Sequence, residues 1–281
     1  MEIYTPKALA ESVETAVRLG FELFGAIPGA EIRKDDHSIL IRTGAKIDLC
    51  NGVFKVRWSD QNAEQEIDRY VAEFAETGTP FLVHTTDLST PHNVGDLLKR
   101  RGFKPQPVAT MFTLDFAALP GDVPLRDGLN CSRVATKSDI DRYIEIFIQG
   151  FALPPLIADI FRKFYEHYGC AEEKTFQSMV MSEGGTPVAI ISILGNRDAR
   201  GRLAGSQDLP PDLCTMMNLT VSPAAQGRWL GTRMAREGVK FARACGYRRV
   251  CTSGTPDGMS IYRRAPLQEV GKCQRWSWNP E

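Results

Sequence analysis

Hydrophobic residues recur at helical spacing in three stretches of the first 118 residues. Thr5 and Pro6 are typical of a helix start, with the threonine as N-cap and the proline at the first helical position. Apolar positions three or four apart predict two further helices, Ala63–Thr77 and Val94–Arg101, and a glycine directly after each one ends it. Apolar or alternating runs predict strands at Ser38–Thr43, Gly52–Trp58, Phe81–His84 and Val108–Phe116.

The rest of the chain shows the same mixture of periods. A helix capped by Thr136 or Ser138 and a helix from Ile157 to Tyr168 precede a strand pair. The later elements, in chain order, are predicted as strands Phe176–Ser182 and Pro187–Leu194 joined by a hairpin turn, strand Cys214–Val221, helix Gly227–Cys245, strand Arg248–Ser253, short helix Gly258–Arg264 and strand Val270–Ser277. Helices and a partly antiparallel sheet in both parts predict the α/β class, with a mixed α+β sheet.

A polar segment rich in proline and glycine interrupts the chain near its middle and predicts a linker. It divides the sequence into a domain at 1–118, a linker at 119–129 and a domain at 130–281, and both domains have an ordinary size. A weak echo relates them, because Leu97–Phe103 precedes a last strand much as Tyr262–Leu267 does. Two copies of one fold would explain that echo.

Composition and charge exclude several classes of protein. Lys and Arg total 34 and Asp and Glu total 34, so the chain lacks the dense cationic surface of a duplex nucleic-acid binder. No apolar run reaches the ~18 residues of a membrane span, and the polar N-terminus is unlike a signal peptide. The seven cysteines form no C-x-x-C pair and the four histidines form no metal-binding pair, which argues against a metal site. We therefore expect reduced thiols in a cytoplasmic protein.

The most informative segment runs from the strand ending at Val221 through a loop to a helix that begins near Gly227. The first turn of a helix presents free backbone N–H groups and the positive end of the helix dipole, and small residues let a ligand approach the backbone closely. A strand, a loop and a glycine-containing helix start therefore indicate a phosphate or pyrophosphate site. By itself, such a pattern is more often a purely structural turn than a ligand site.

This segment resembles the coenzyme A loop of the GCN5-related N-acetyltransferases (GNAT). The match is Val221-Ser-Pro-x-x-Gln226-x-x-x-x-Gly231-Thr232, where the family has an Arg/Gln-x-x-Gly-x-Gly/Ala loop after a strand that ends in valine. Two departures are Trp229 in place of the first glycine and Pro266-Leu267 in place of a later Gly-Phe. The layout as a whole resembles tandem proteins of two GNAT-like domains, each a central mixed sheet flanked by helices, with a degenerate N-terminal domain.

The resemblance implies acetyl-CoA or another acyl-CoA as cosubstrate, bound in the C-terminal domain. The backbone around Leu219 and Val221 would bind the thioester carbonyl and pantetheine arm, and the loop would hold the pyrophosphate. Tyr262 would act as the general acid toward the thiolate. The full set of implied cofactor-binding residues is Leu219, Thr220, Val221, Gln226, Gly227, Arg228, Trp229, Leu230, Gly231, Thr232 and Thr255.

The acceptor side of the reaction is less defined by the sequence. The expected acceptor is a small-molecule amine or an amino acid, and His84, at the end of a short apolar strand, is a candidate substrate contact. Glu173, Glu183 and Asp212 are candidate general bases, and a water relay is an equal alternative. The sequence leaves open an N-acyltransferase or a catalytically altered GNAT-fold protein that binds acyl-CoA, as a monomer or a homodimer, without nucleic-acid or membrane partners.

Overall fold

The computed structural model describes residues 4–119, 121, 124–126, 128–205, 208–259 and 265–280. The chain divides into two compact units, which differ from a simple N-terminal and C-terminal half. The first unit comprises residues 1–112, 253–257 and 269–281, and the second comprises 113–252 and 258–268. The sequence-based boundary assigns everything after residue 129 to the second domain, whereas here the end of the chain belongs to the first unit.

The first unit is a mixed sheet with helices. Its helices are α1 (Pro6–Glu22), α2 (Ala63–Glu76) and α3 (Val94–Arg100). Its strands are β1 (Glu31–Lys34), β2 (Ile39–Arg42), β3 (Gly52–Phe54), β4 (Phe81–Thr86), β5 (Lys104–Pro105) and the last strand of the chain, β12 (Gln268–Trp278). The order is β1-β2-β3-β4-β12, with β5 also paired to β12. Strands β3 and β4 are parallel and the other neighbours are antiparallel.

The second unit has the same mixed character. Its helices are α4 (Lys137–Phe151), α5 (Leu156–Tyr168) and α6 (Leu230–Ala244). The one-turn helix α7 (Pro256–Met259) is divided between the two units. Its strands are β7 (Leu129–Arg133), β8 (Phe176–Glu183), β9 (Thr186–Leu194), β10 (Leu213–Val221) and β11 (Arg249–Gly254), in the order β11-β10-β9-β8-β7. All pairs are antiparallel except β10 with β11. Strand β6 (Ala109–Asp115) passes from the first unit into the second.

Local signals account for the helix starts. The Thr5 hydroxyl accepts a hydrogen bond from the Ala8 amide, and Pro6 occupies the first helical position of α1. Thr136 and Asp139 form a reciprocal capping box at the start of α4, which resolves the two predicted caps in favour of Thr136. These caps satisfy amides that have no partner within the helix.

Each unit buries its own apolar face. In the first, β4, α2 and α3 enclose a core around Val83, Phe74 and Leu98. In the second, β9, β10 and α6 enclose a core around Ile191, Met216 and Met234. The predicted class, mixed sheets covered by helices, is confirmed. No helix in the described ranges is both long and apolar enough to span a bilayer.

Three sequence-based boundaries are wrong, and each has a backbone reason. The predicted strand Gly52–Trp58 stops at Phe54, because Lys55 has a left-handed φ of 52°. The predicted helix Gly227–Cys245 begins only at Leu230. Strand β7 starts at the last residue of the predicted linker and was not anticipated, because its exposed face is polar.

Candidate functional site

Strands β10 and β11 pair at their start and then separate. The parallel ladder joins Leu213 to Arg249 and Cys214 to Val250, and in the described residues it goes no further. Beyond it the Thr252 hydroxyl donates a hydrogen bond to the Met216 carbonyl oxygen, at 2.7 Å. The edge of β10 from there to Val221 therefore has no strand ladder on that side, so its backbone groups are available to a ligand.

The other edge of β10 carries a β-bulge. Met217 is opposite Ser192, but Thr220 is opposite Ile190, so β10 has one more residue than β9 between those two pairs. Asn218 takes the strain with a left-handed φ of 56°, and asparagine tolerates this conformation better than other residues with a side chain. The bulge turns the end of β10 and frees backbone groups near Leu219 from the ladder.

A buried chain of hydroxyl groups lies behind the bulge. The Tyr143 hydroxyl is 2.7 Å from Ser192 Oγ, which is 2.8 Å from Ser178 Oγ. Ser178 Oγ in turn is 2.7 Å from the Tyr165 hydroxyl. Burial raises the pKa of Tyr143 to about 12, opposed by hydrogen bonding with the side chains of Ser192, Asn218 and Ser178. Tyr143 therefore joins the bulge residue Asn218 to a fixed network in the core.

Helix α4 approaches the same strand through a glycine. A Cβ atom at Gly150 would lie 2.3 Å from Thr220 Oγ1 and 2.6 Å from Thr220 Cγ2. Only a glycine permits this contact between helix backbone and the Thr220 side chain. Leu219 and Val221 instead pack against the core that includes Leu230 at the start of α6.

The loop after β10 bends twice before the helix starts. Residues Pro223–Ala225 form a 3₁₀ turn, and Gly227 and Trp229 have left-handed φ values of 74° and 62°. Two left-handed residues cannot continue a right-handed helix, which explains why α6 starts three residues later than predicted. Trp229 occupies the N-cap position with 67% of its surface exposed, so its side chain points away from the core.

The backbone of this loop presents several unused donors. The first helical hydrogen bond runs from the Arg233 amide to the Trp229 carbonyl oxygen, at 3.1 Å. No acceptor within the described part of the chain meets the amides that precede it, those of Gly227, Arg228, Leu230, Gly231 and Thr232. The first turn of α6 contains no acidic residue and no side chain caps it. The loop and helix start therefore form a positively polarised set of amides suited to an anion.

Arg228 and Glu183 form an ion pair at one end of this loop. The Arg228 guanidinium donates to both carboxylate oxygens of Glu183, at 2.7 and 2.8 Å, and Arg126 also pairs with that carboxylate. Hydrogen bonding from Arg228 lowers the pKa of Glu183 below its usual range. Glu183 is thus a poor general base, and a cofactor phosphate would compete with it for Arg228.

The other two candidate bases lie at the opposite end of the strands, where β8 and β10 begin. Asp212 precedes β10, and the strand of nine residues separates it by roughly 30 Å from Val221 at ~3.3 Å per residue. Glu173 precedes β8, whose first residue is aligned with the start of β10 through β9. Neither carboxylate lies at the end of the sheet where β10 and β11 separate.

Four predicted site residues remain, and the structure describes three of them. Tyr262 lies outside the described residues. Thr255 follows β11 in the segment Ser253–Asp257, which belongs to the first unit. Gln226 is exposed, with its amide nitrogen 3.4 Å from the Val221 carbonyl oxygen. His84 lies in the first unit and is buried, and burial lowers its pKa to about 3.

Sequence reasoning missed four residues that shape the site. Tyr143 and Asn218 hold the bulge, Gly150 admits Thr220, and Thr252 bonds the edge of β10. Two of them carry a local signal, because asparagine within a strand and glycine within an apolar helix both indicate a special backbone or a close approach. In the described ranges, no group of three or more His, Cys, Asp or Glu side chains is arranged to hold a metal ion.

Comparison with known proteins finds similarity to one family. Residues 144–261 match the Acetyltransferase (GNAT) family. No curated protein matches the chain. Among solved structures, the chain is similar to a GCN5-related N-acetyltransferase from Kribbella flavida, with a TM-score of 0.69 and 10% identity over 97% of this chain and 96% of that one.

Two further structures have the same fold over nearly the whole chain. One is a GCN5-related N-acetyltransferase from Sphaerobacter thermophilus, with a TM-score of 0.59 and 13% identity over 98% of this chain and 94% of that one. The other is a tandem GNAT protein from the clavulanic acid biosynthesis pathway, with a TM-score of 0.55 and 12% identity over 96% of both chains. At these identities the likeness concerns the fold, and it confirms the predicted architecture.

Proposed function

We propose that the chain is an acyl-CoA-dependent N-acyltransferase, on the premise that residues 144–261 match the Acetyltransferase (GNAT) family. The reaction moves an acyl group, most simply acetyl, from a coenzyme A thioester to the amine of a small molecule or amino acid. One observation carries the proposal. Five amides that meet no acceptor among the described residues cluster at the positive end of α6, directly after a strand whose edge is open.

The amide cluster fits the pyrophosphate of coenzyme A. A pyrophosphate needs several donors from one concave backbone, and Gly227, Gly231 and Thr232 supply such donors. A Cβ atom at Gly227 would meet no atom within 4 Å, so the loop leaves space beside it for a ligand. Arg228 would exchange Glu183 for a phosphate oxygen, at small cost because this ion pair is exposed.

The open edge of β10 fits the pantetheine arm and the thioester. Backbone groups near Leu219 and Val221 would hydrogen-bond the arm, and an amide would polarise the thioester carbonyl. The bulge at Asn218 and the Tyr143 network fix the direction of these amides before the ligand arrives. Such preorganisation lowers the cost of orienting a donor during the reaction.

The proton transfers are assigned by family resemblance. Tyr262 would protonate the departing thiolate, since a phenol with pKa near ~10 is a suitable acid for a thiolate. The amine would lose its proton through water, because Glu183 is ion-paired and the other two candidate carboxylates lie at the far end of the strands. All seven cysteines are free, which supports a reducing, cytoplasmic location and gives no reason to assign one as nucleophile.

Trp229 favours one alternative. A large exposed indole stands where the family resemblance implies glycine, and it would cover the pyrophosphate or impede it. A protein that binds acyl-CoA but performs no ordinary transfer would show intact binding without turnover. The same two measurements, binding and turnover, therefore test both functions.

Binding is tested by isothermal titration of the full chain with coenzyme A. We expect one site per chain and its loss in Gly231→Glu, because a carboxylate there would repel the phosphates and fill the space beside the amides. Ala244→Glu is the matched control, since it adds the same single negative charge at an exposed position at the other end of α6. Equal affinity of Gly231→Glu and wild type, both folded by circular dichroism, would refute the loop assignment.

Turnover is tested with acetyl-CoA and an amine panel, and coenzyme A is followed by chromatography because the protein has thiols of its own. Tyr262→Phe should lower turnover by roughly 10²–10³-fold while coenzyme A affinity stays unchanged. Equal turnover in the variant would remove Tyr262 from the mechanism. Binding without release of coenzyme A in wild type would support the altered-function alternative.

A further inference from the structure

A histidine and an arginine lie side by side on one face of the first unit's sheet. His84 in β4 is directly opposite Arg275 in β12 in the antiparallel ladder, and such pairs point to the same face. Thr86 and Cys273 form the next pair on that face. The opposite face carries Trp276, whose indole N–H donates to Thr85 Oγ1 at 2.9 Å. The two residues therefore share an environment that is separate from the aromatic core around Trp276.

His84 is almost fully buried, and its ring nitrogens have no hydrogen-bond partner among the described residues. Only 3% of its surface is exposed, and the Phe54 ring stacks on it with the centroids 5.8 Å apart. Neither ring nitrogen makes a hydrogen bond to any residue that the structure describes. Burial, with Arg275 as a second cause, lowers the pKa of His84 to about 3. Its imidazole is thus neutral near pH 7 and keeps one N–H donor to offer.

Arg275 is half-buried, and no described residue provides its side chain with a counter-ion. Its guanidinium forms neither an ion pair nor a hydrogen bond across the described ranges, and burial lowers its pKa. The Cys273 thiol and Asp48 are near enough to oppose this shift, but neither is paired with it. The nearby carboxylate of Glu14 is already engaged, because it accepts from Arg57 Nη1 at 3.2 Å and from Thr86 Oγ1 at 2.8 Å.

A desolvated cation without a counter-ion is costly in a folded protein, and a bound anion removes that cost. The guanidinium fork matches a carboxylate in two parallel hydrogen bonds, and a neighbouring imidazole N–H supplies a third. The pair contributes one positive charge, which matches a monoanion. We propose that the first unit binds the carboxylate of a small organic monoanion between Arg275 and His84. This site does not depend on acyl transfer by the second unit.

The experiment follows histidine ring signals by NMR in the full chain, with acetate as the probe. The protein has four histidines, and His37, His92 and His167 are exposed while His84 is buried, so three internal controls report non-specific effects. We expect His84 alone to shift and saturate, with a dissociation constant on the order of 1 mM. His84→Gln assigns the signal. Chloride at equal ionic strength should leave the chemical shift of the His84 signal unchanged.

Two variants of Arg275 test whether its planar guanidinium group binds the acetate. Arg275→Gln should weaken acetate at least tenfold, and Arg275→Lys should also weaken it because lysine keeps the charge but loses the planar fork. Arg101→Gln, which removes a half-buried arginine paired with Asp68 in the same unit, should change nothing. If Arg275→Gln does not fold, the lysine variant carries the comparison.

Two results would overturn the site. One is an unmoved His84 signal in wild type up to concentrations at which the exposed histidines shift. The other is equal acetate affinity in wild type and Arg275→Lys. Tighter binding of inorganic phosphate than of acetate would replace the carboxylate by a phosphate ligand. None of these outcomes bears on coenzyme A titration, so failure here is distinct from failure of the proposed transferase function.

Discussion

Replacing Tyr143 by phenylalanine tests whether the buried hydroxyl network sets the shape of the cofactor site. The change removes one oxygen and keeps the ring that packs between α4 and the sheet. It removes the hydroxyl group that lies 2.7 Å from Ser192 Oγ and that also hydrogen-bonds with the Asn218 side chain. Asn218 then holds its left-handed backbone with less support, although Ser192 keeps its bond to Ser178 at 2.8 Å.

The expected loss of stability follows from burial and bond number. Tyr143 is fully buried, and loss of one hydrogen bond there costs about 1–2 kcal/mol in the free energy of unfolding. Tyr165→Phe is a matched control, because it removes an equally buried hydroxyl at the other end of the same network, 2.7 Å from Ser178 Oγ. Both variants should therefore lose similar stability, but only Tyr143→Phe changes the bulge.

The assay combines urea unfolding with titration of acetyl-CoA at a temperature where all three proteins are folded. Tyr143→Phe should weaken acetyl-CoA by roughly 3–10-fold, up to ~1.4 kcal/mol, while Tyr165→Phe should bind like wild type. Equal weakening in both variants would mean that general loosening of the core is responsible. Unchanged affinity in Tyr143→Phe, together with the expected loss of stability, would refute the link between the network and the site.

Three other perturbations follow from particular backbone and burial features. Trp229→Gly should change the free energy of unfolding by less than about 1 kcal/mol, because relief of the left-handed φ of 62° offsets the added freedom of glycine in the unfolded chain. A thermal melt measures this change. A loss of stability above ~2 kcal/mol would show that the exposed indole makes an important structural contact. Gly150→Ala should be destabilising by roughly 1–2 kcal/mol despite alanine's better helix propensity, because its Cβ would lie 2.3 Å from Thr220 Oγ1; a stabilised variant would contradict the close contact. The pKa of His84 is lowered to about 3. The free energy of unfolding should therefore decrease as the pH falls below ~6.5, because the unfolded chain then binds a proton at His84 that the folded chain does not. Wild type should thus lose about 1.4 kcal/mol per pH unit more than His84→Gln between pH 6 and 4, and parallel pH profiles would contradict that.

Much of the fold follows from local patterns. The helices α1, α2 and α4 and the strands β4, β9 and β10 lie where periodicity and caps predict them. Their signals are carried by a few neighbouring residues, such as Thr5 with Pro6 or Thr136 with Asp139. The strand, loop and helix start around 221–230 also follow the predicted order, and anion binding there stays a prediction.

Only part of the candidate site could be predicted from the sequence, and the reason is physical. Asn218 and Tyr143 are 75 positions apart, and only folding places one side chain beside the other. Glu183 appeared as a candidate base because its sequence neighbourhood is a strand end. Its pairing with Arg228 and Arg126, which lowers its pKa, depends on three segments meeting in space.

The sequence by itself determined which segments are helices or strands, and where a polarised helix start could receive an anion. These properties depend on side-chain periodicity, capping groups and glycine, all of which act within a few residues. Only the tertiary structure decided which strands are neighbours. Any strand edge offers the same N–H and C=O groups, so the choice of partner is made by the surrounding packing. The last strand, β12, therefore pairs with β4 of the first unit, where it sets Arg275 beside His84.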